Sequence, residues 1–227
     1  MAHSTVPRRA VRSHEDLVIA LTGLVVLVLG MWVVRRGSVS DPERVVFRAV
    51  NGLPEALYAV LWPFQQLGAI LVGPLVALVA AAARRYRLAI AALLATAAKL
   101  VLERVVKDVV DRQRPGTSIG AEAELRGDVS AAGQSFVSGH AVLVTALEGL
   151  VSPYLPGRWK ILPWTLVGLV LVGRVYVGAH NPLDVVCGAA LGLAIAGVLN
   201  LVVGRPVPRP SDEQRPDAQR PGEQPSG

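Results

Sequence analysis

Long uncharged apolar runs alternate along the chain with short polar segments rich in arginine. Leu17 to Val34 is 18 residues without a charge, closed by Arg35 and Arg36. Further runs occupy Leu57 to Ala83, Leu88 to Val106, Ile161 to Val177 and Leu183 to Val203. Ala141 to Val151 is short, but crosses if Ser138-Gly139-His140 before it and Tyr154-Leu155 after it are included. A bilayer crossing needs roughly 20 predominantly apolar residues. The pattern therefore predicts an all-α fold, a six-transmembrane-helix bundle over residues 17–203. The first run is too long for a signal peptide, and no small-residue cleavage site follows it. Pro63, Gly68, Gly73 and Pro74 interrupt the second run and leave its start loosely set. Pro42 to Asn51 is short and mixed, which suits an interfacial position. Residues 1–16 form an N-terminal segment. Residues 204–227 hold six prolines and almost no apolar side chains, the composition of a disordered tail.

Composition narrows the class. Of 227 residues, 52% are hydrophobic and 18% charged, against about 25% charged in soluble domains. The net charge of +6 would suit nucleic acid or an anionic membrane. The apolar runs decide for the bilayer and against nucleic acid. The single cysteine, Cys187, excludes an intrachain disulfide and reads as packing. With six crossings both termini share one side. That side collects 12 basic residues, including Arg84, Arg85, Arg87, Arg158 and Lys160, against six on the other. Basic loops favour the cytoplasm, so the termini are expected there. The sequence does not speak to oligomeric state.

Three polar segments fall at helix ends on the opposite side. In the third, Arg174 to Asp184, Asn181 can cap a helix and Pro182 suits its first turn. Asp184 lies one turn from His180, where a carboxylate can take the Nδ1 proton and leave Nε2 as a nucleophile for phosphorus. Arg174 offers a planar fork for phosphate oxygens. In the second, Ser138 and Gly139 open a helix whose amides suit an anion, and His140 has the range to protonate a leaving alkoxide. In the first, Lys107 and Arg114 add two cations, and with Arg174 they can neutralise a phosphoryl transition state. The reading asks for no metal and no cofactor.

Each piece alone has a plainer reading. A His-x-x-x-Asp pair often marks a helix start, and Lys107 and Arg114 could be interfacial anchors. Lys99 and Glu103 suit a structural ion-paired face that steadies Lys107. Glu148 lines the cavity or pairs with Lys99, the pairing being favoured. Tyr176 and Asn181 read as structural. The polar loop 116–135 has the length of a lid or binding segment. The conjunction of three segments, in order and at one depth, favours chemistry.

At these residues the chain resembles the type 2 phosphatidic acid phosphatase (PAP2) superfamily. Its motifs are Lys-x6-Arg-Pro, Pro-Ser-Gly-His and Ser-Arg-x5-His-x3-Asp. Lys107 to Arg114-Pro115 matches the first in full. Ser138-Gly139-His140 matches the second with Val137 in place of proline, and Arg174, His180 and Asp184 match the third with Gly173 in place of serine. The resemblance implies that His180 is the nucleophile, His140 the general acid and Asp184 the residue that orients His180. It implies that Lys107, Arg114, Ser138, Gly139 and Arg174 bind phosphate, with no metal. The expected protein is an integral lipid phosphatase with its site on the extracytoplasmic face of a bacterial plasma membrane. Its substrate would be a polyprenyl phosphate or diphosphate, phosphatidylglycerol phosphate or phosphatidic acid. A phosphotransferase with the same site and a non-catalytic carrier of anionic lipids are the alternatives.

Overall fold

The computed structural model describes residues 10–206. They form a helical bundle whose ends meet: strand β1 (Ala10–Val11) pairs antiparallel with β2 (Arg205–Pro206). The expected tail therefore starts later than Gly204, and residues 207–227 lie outside the described residues, as do 1–9. Arg205 bonds Glu15 at 3.1 Å and pairs with the fully buried Asp16, tying the two ends together.

Helix α1 (His14–Val34) is capped by Ser13, whose hydroxyl accepts from the Glu15 amide at 3.2 Å. Its buried residues are Ala20, Gly23, Leu27, Gly30 and Val34, at alternating spacings of three and four, and they face α9 (Pro182–Val203). The contact is close because it is made by small residues. A Cβ on Gly23 would stand 2.8 Å from the Ala194 amide nitrogen, and one on Gly197 would stand 2.6 Å from the Asp16 carbonyl. Without a hydrophobic drive inside lipid, helices associate by such backbone approach. The large residues Leu24, Val25, Val28 and Leu29 point outward instead.

Between them run α2 (Asp41–Asn51), α3 (Leu57–Gln65), α4 (Val72–Ala82), α5 (Tyr86–Val109), the one-turn α6 (Pro115–Ser118), α7 (Gly139–Val151) and α8 (Ile161–Tyr176). Helix α2 is amphipathic and buries Glu43, Phe47 and Asn51 on one stripe. α7 stands at the centre, buried along nearly its whole length against α5, α8 and α9.

By length and composition the six expected crossings are not all distinct. Among the described residues three helices are long and apolar enough to cross: α1, the segment Gly157–Tyr176 and α9. α3 and α4, bent by 66°, make a fourth if counted as one broken crossing. α5 fails on charge, since Lys99, Glu103, Arg104, Lys107 and Asp108 crowd its second half. The 13 residues of α7 reach only about 20 Å, short of the roughly 30 Å hydrocarbon core. A helix packed on every side inside the bundle has no need of that length.

The core runs through α1, α4, α5, α7 and α9, with Phe136, Leu143, Leu150 and Ile195 among its buried members. Cys187 belongs to it, packed against Gly30, as expected of a structural thiol. Glu148 is buried with one carboxylate oxygen unbonded, and Lys99 pairs with Glu103 instead, so the expected Lys99–Glu148 pair is not made.

Candidate active site

The end of α5, the start of α7, the end of α8 and the start of α9 converge at the pole of the bundle opposite the paired termini. α8 closes at Tyr176, and Gly178 turns the chain with φ +75°. Side chains avoid that region, and a Cβ there would also stand 2.7 Å from the Glu124 carbonyl. The turn folds back so that the amides of Ala179 and His180 both donate to the Arg174 carbonyl, at 3.1 and 3.3 Å. α9 then opens on Asn181 and Pro182, and the Asn181 amide donates to Asp184 Oδ2 at 2.7 Å. The cap expected from the sequence is thus present, and Asp184 is part of it.

His180 is 4% exposed. Its Nδ1 lies 3.0 Å from the carbonyl oxygen of Ser135, 3.4 Å from the Ser135 hydroxyl and 4.0 Å from Asp184 Oδ2. The direct Asp184 contact expected from spacing is therefore replaced by Ser135. Nδ1–H donates to the backbone carbonyl and the Ser135 hydroxyl donates to Asp184 Oδ2. A carbonyl can only accept, so this contact fixes the tautomer with Nε2 unprotonated. Burial, then the charges of Arg174, Arg114 and Lys107 and the nearby His140, push His180 well below the ordinary imidazole value. The same set of neighbours shows that the three segments converge on one imidazole.

Behind His180 lies a network that local sequence did not announce. Arg112, fully buried, donates to Asp184 Oδ1 at 2.8 Å and pairs through its other nitrogen with Glu43 on α2. The other oxygen of Glu43 accepts the Leu183 amide, at 2.9 Å, in the first turn of α9. Burial opposes the charge on Arg112, but Asp184 and Glu43 outweigh it and raise the guanidinium further. Read from sequence, Arg112 was one loop charge among six, and Glu43 carried no signal beyond its place on a helix stripe. Ser135 stood at the end of a polar loop read as a lid or binding segment, with no residue of it singled out.

The open side of His180 is lined by donors. Ser138 is buried, and its hydroxyl bonds no protein atom among the described residues; nor do the Nε atoms of Arg114 and Arg174. Ser138 precedes α7 without capping it by its side chain, contrary to the sequence expectation, and its amide donates to the Asp184 carbonyl at 3.0 Å. Arg114 is anchored through its own amide to the Gly133 carbonyl at 3.0 Å. Lys107 bonds Glu103 at 2.6 Å and Lys99 bonds the other oxygen at 2.8 Å, the ion-paired face expected on α5. That carboxylate lies over Gly139, its carbon 2.7 Å from where a Cβ would stand, so the glycine admits Glu103 beside the first turn of α7. His140 occupies that turn and faces Gly68.

The polar loop packs on this pole. Asn51 on α2 donates to the carbonyls of Glu124 and Tyr176, both at 2.8 Å. Arg126 donates to the carbonyls of Asn51 and Tyr176 at 2.7 and 2.8 Å and lies 4.3 Å over the Tyr176 ring. Tyr176 and Asn181 are structural here, as read from the sequence. All eight predicted site residues meet at this pole, and Ser135, Arg112, Glu43 and Gln65 join them.

An α-helical bundle with a buried imidazole ringed by cations at one pole defines a class of membrane protein. The profile of the PAP2 superfamily matches residues 88–208, more than half of the chain, and the chain belongs to that superfamily. Among solved structures it is similar to LpxE of Aquifex aeolicus, with 24% identity, a TM-score of 0.61, and coverage of 69% of this chain and 93% of that one. It is also similar to a transmembrane PAP2-type phosphatidylglycerolphosphate phosphatase from Bacillus subtilis, at 21% identity and TM-score 0.62, covering 83% and 95%. At these identities the likeness establishes the fold. No curated protein sequence matches the chain.

Proposed function

We propose that this protein is a phosphatase of lipid phosphomonoesters or diphosphates that works through a phosphohistidine on His180. The observation that carries the proposal is the setting of His180: its Nδ1–H donates to the Ser135 carbonyl, which leaves Nε2 unprotonated, and Arg174, Arg114 and Lys107 lie close enough to act on the ring. In the first step Nε2 attacks phosphorus, the bond from phosphorus to the leaving oxygen breaks, and His140 gives that oxygen a proton. In the second step water attacks phosphorus, the P–N bond breaks, and His140 takes the proton from water. The three cations and the Ser138 hydroxyl hold the phosphoryl oxygens throughout, the electrostatic part that dominates such catalysis. These groups supply the charge that a metal would otherwise supply, so the reaction needs none.

The site sits at a pole of a membrane bundle, which suits a substrate whose tail stays in lipid while its phosphate enters between α7, α8 and α9. Polyprenyl phosphate or diphosphate, phosphatidylglycerol phosphate and phosphatidic acid are the candidates. The excess of arginine in the segments expected on the side of the termini supports a site on the extracytoplasmic face of a plasma membrane. An alcohol in place of water would make the same residues a phosphotransferase.

The test is phosphate release in detergent from a panel of these lipids, with excess EDTA, comparing the natural protein with His180→Ala. Release that survives EDTA and vanishes in the variant is the expected result. A folded protein that releases phosphate from none of them, with or without an added alcohol, returns the site to a lipid carrier.

A further inference from the structure

The break between α3 and α4 carries a side chain into the site from outside the profile-matched region. Gln65 ends α3 and is 5% exposed. The turn that follows, Gln66–Gly68, lies against the general acid: a Cβ on Gly68 would stand 2.7 Å from His140 Cδ2. On its other side Gln65 packs on α8, where its Cγ lies 3.1 Å, and its Nε2 3.8 Å, from the place a Cβ on Gly173 would take. Arg174, next in sequence, donates from Nη1 to Gln65 Oε1 at 3.1 Å.

That last contact fixes which way the amide faces. A guanidinium has only donors, so the oxygen must meet it and the NH2 group must turn the other way. Among the described residues no protein acceptor takes the Nε2 protons. The groups nearest this amide, Arg174 by direct bond and His140 beside the turn that follows, are those that would surround a phosphate. Gly173 is also where the third motif has a serine, so the glutamine side chain fills the space of a missing hydroxyl and brings a donor with it.

We propose that Gln65 is a phosphate-binding residue, holding Arg174 through Oε1 and donating from Nε2 to an oxygen of the phosphate bound there. The proposal rests on the phosphate-hydrolysing reading of the site. It explains why the chain does without the serine: Gly173 makes room for Gln65, and the two positions act as a pair.

The experiment uses the full chain in detergent and two probes. Inorganic orthovanadate reports anion affinity through the shift in unfolding temperature, and dioctanoyl phosphatidic acid reports turnover. The variants are Gln65→Met, which keeps volume without the amide, Gln65→Ala, Gly173→Ser and the double variant Gln65→Ala with Gly173→Ser. One hydrogen bond to a charged oxygen is worth about tenfold or more in affinity. Gln65→Met and Gln65→Ala are expected to weaken vanadate about tenfold and raise KM more than they lower kcat. Gly173→Ser alone is expected to weaken it as well, because its side chain meets Gln65. The double variant is expected to recover most of the loss, since the serine hydroxyl then has both space and phosphate.

Wild-type affinity in Gln65→Met overturns the proposal. So does a double variant no better than Gln65→Ala, which would mean that Gln65 acts only by holding Arg174. Should Gln65→Ala fail to fold, the Gln65→Met comparison decides alone. Vanadate binding without phosphate release in the natural protein would overturn the hydrolase reading, and the binding arm would still judge Gln65.

Discussion

His180 is kept neutral by position. It lies out of water, its Nδ1–H donates to a carbonyl, and three cations lie close enough to act on it. Protonation would silence the nucleophile, and these surroundings oppose it, so the acid limb of activity is displaced downward. With the substrate's own second ionisation, near 6, corrected for, kcat/KM for a lipid phosphate is expected to hold its level through about pH 6.5, the ordinary histidine value. It should fall only at lower pH. A limb centred at or above 6.5 in the pH–rate profile would contradict the geometry. The eight motif residues were legible because they recur at set spacings in three segments that fall at helix ends. Ser135 was not, because its part is played by a backbone carbonyl, which every residue has. Asp184 was read correctly as belonging to His180's turn and incorrectly as touching it: one helical turn of spacing fixes direction, whereas 4.0 Å against 3.0 Å depends on what the loop before α7 inserts between them.

Helix α2 shows what an element contributes from outside the recognised region. It brings Glu43 against Arg112 and the first turn of α9, and Asn51 against the loop that caps the pole. Arg112 is thereby shared by two buried carboxylates, Glu43 and Asp184. Removing one partner of a buried ionic group costs about 3–5 kcal/mol, because the charge left behind is uncompensated. Arg112→Met leaves two such charges facing each other. It is expected to lower stability by at least that amount, or to prevent folding, in a denaturation series in mixed micelles. Activity lost with stability unchanged would show that Arg112 serves only the chemistry. The helices themselves were well foretold wherever apolar runs had clean ends, as in α1, α8 and α9. The bend of 66° between α3 and α4 was visible only as Pro63, Gly68, Gly73 and Pro74 in a row. The brevity of α7 was legible in the short run Ala141 to Val151; its burial on every side by other helices was not.

At the scale of the whole molecule, the paired ends and the site lie at opposite poles. In the orientation proposed from the arginine bias, the termini would face the cytoplasm and Glu122 the outside. Cys187 is buried and is expected not to react with thiol reagents, so single introduced cysteines report sidedness cleanly. In intact cells Glu122→Cys is expected to react with a membrane-impermeant maleimide, and Trp159→Cys only after permeabilisation. The reverse pattern would put the site on the cytoplasmic face.

The central claim is a covalent phosphorus–nitrogen bond on His180, and trapping it is the most direct test. The natural protein, His140→Ala and His180→Ala are quenched within milliseconds to seconds of mixing with a labelled lipid diphosphate, and phosphate on the protein is mapped to a residue. The account predicts label on His180, labile to acid and stable to base, longest-lived in His140→Ala, where the proton acceptor for the attacking water is gone. Phosphate released at the natural rate by His180→Ala, or label found on another side chain, would contradict it.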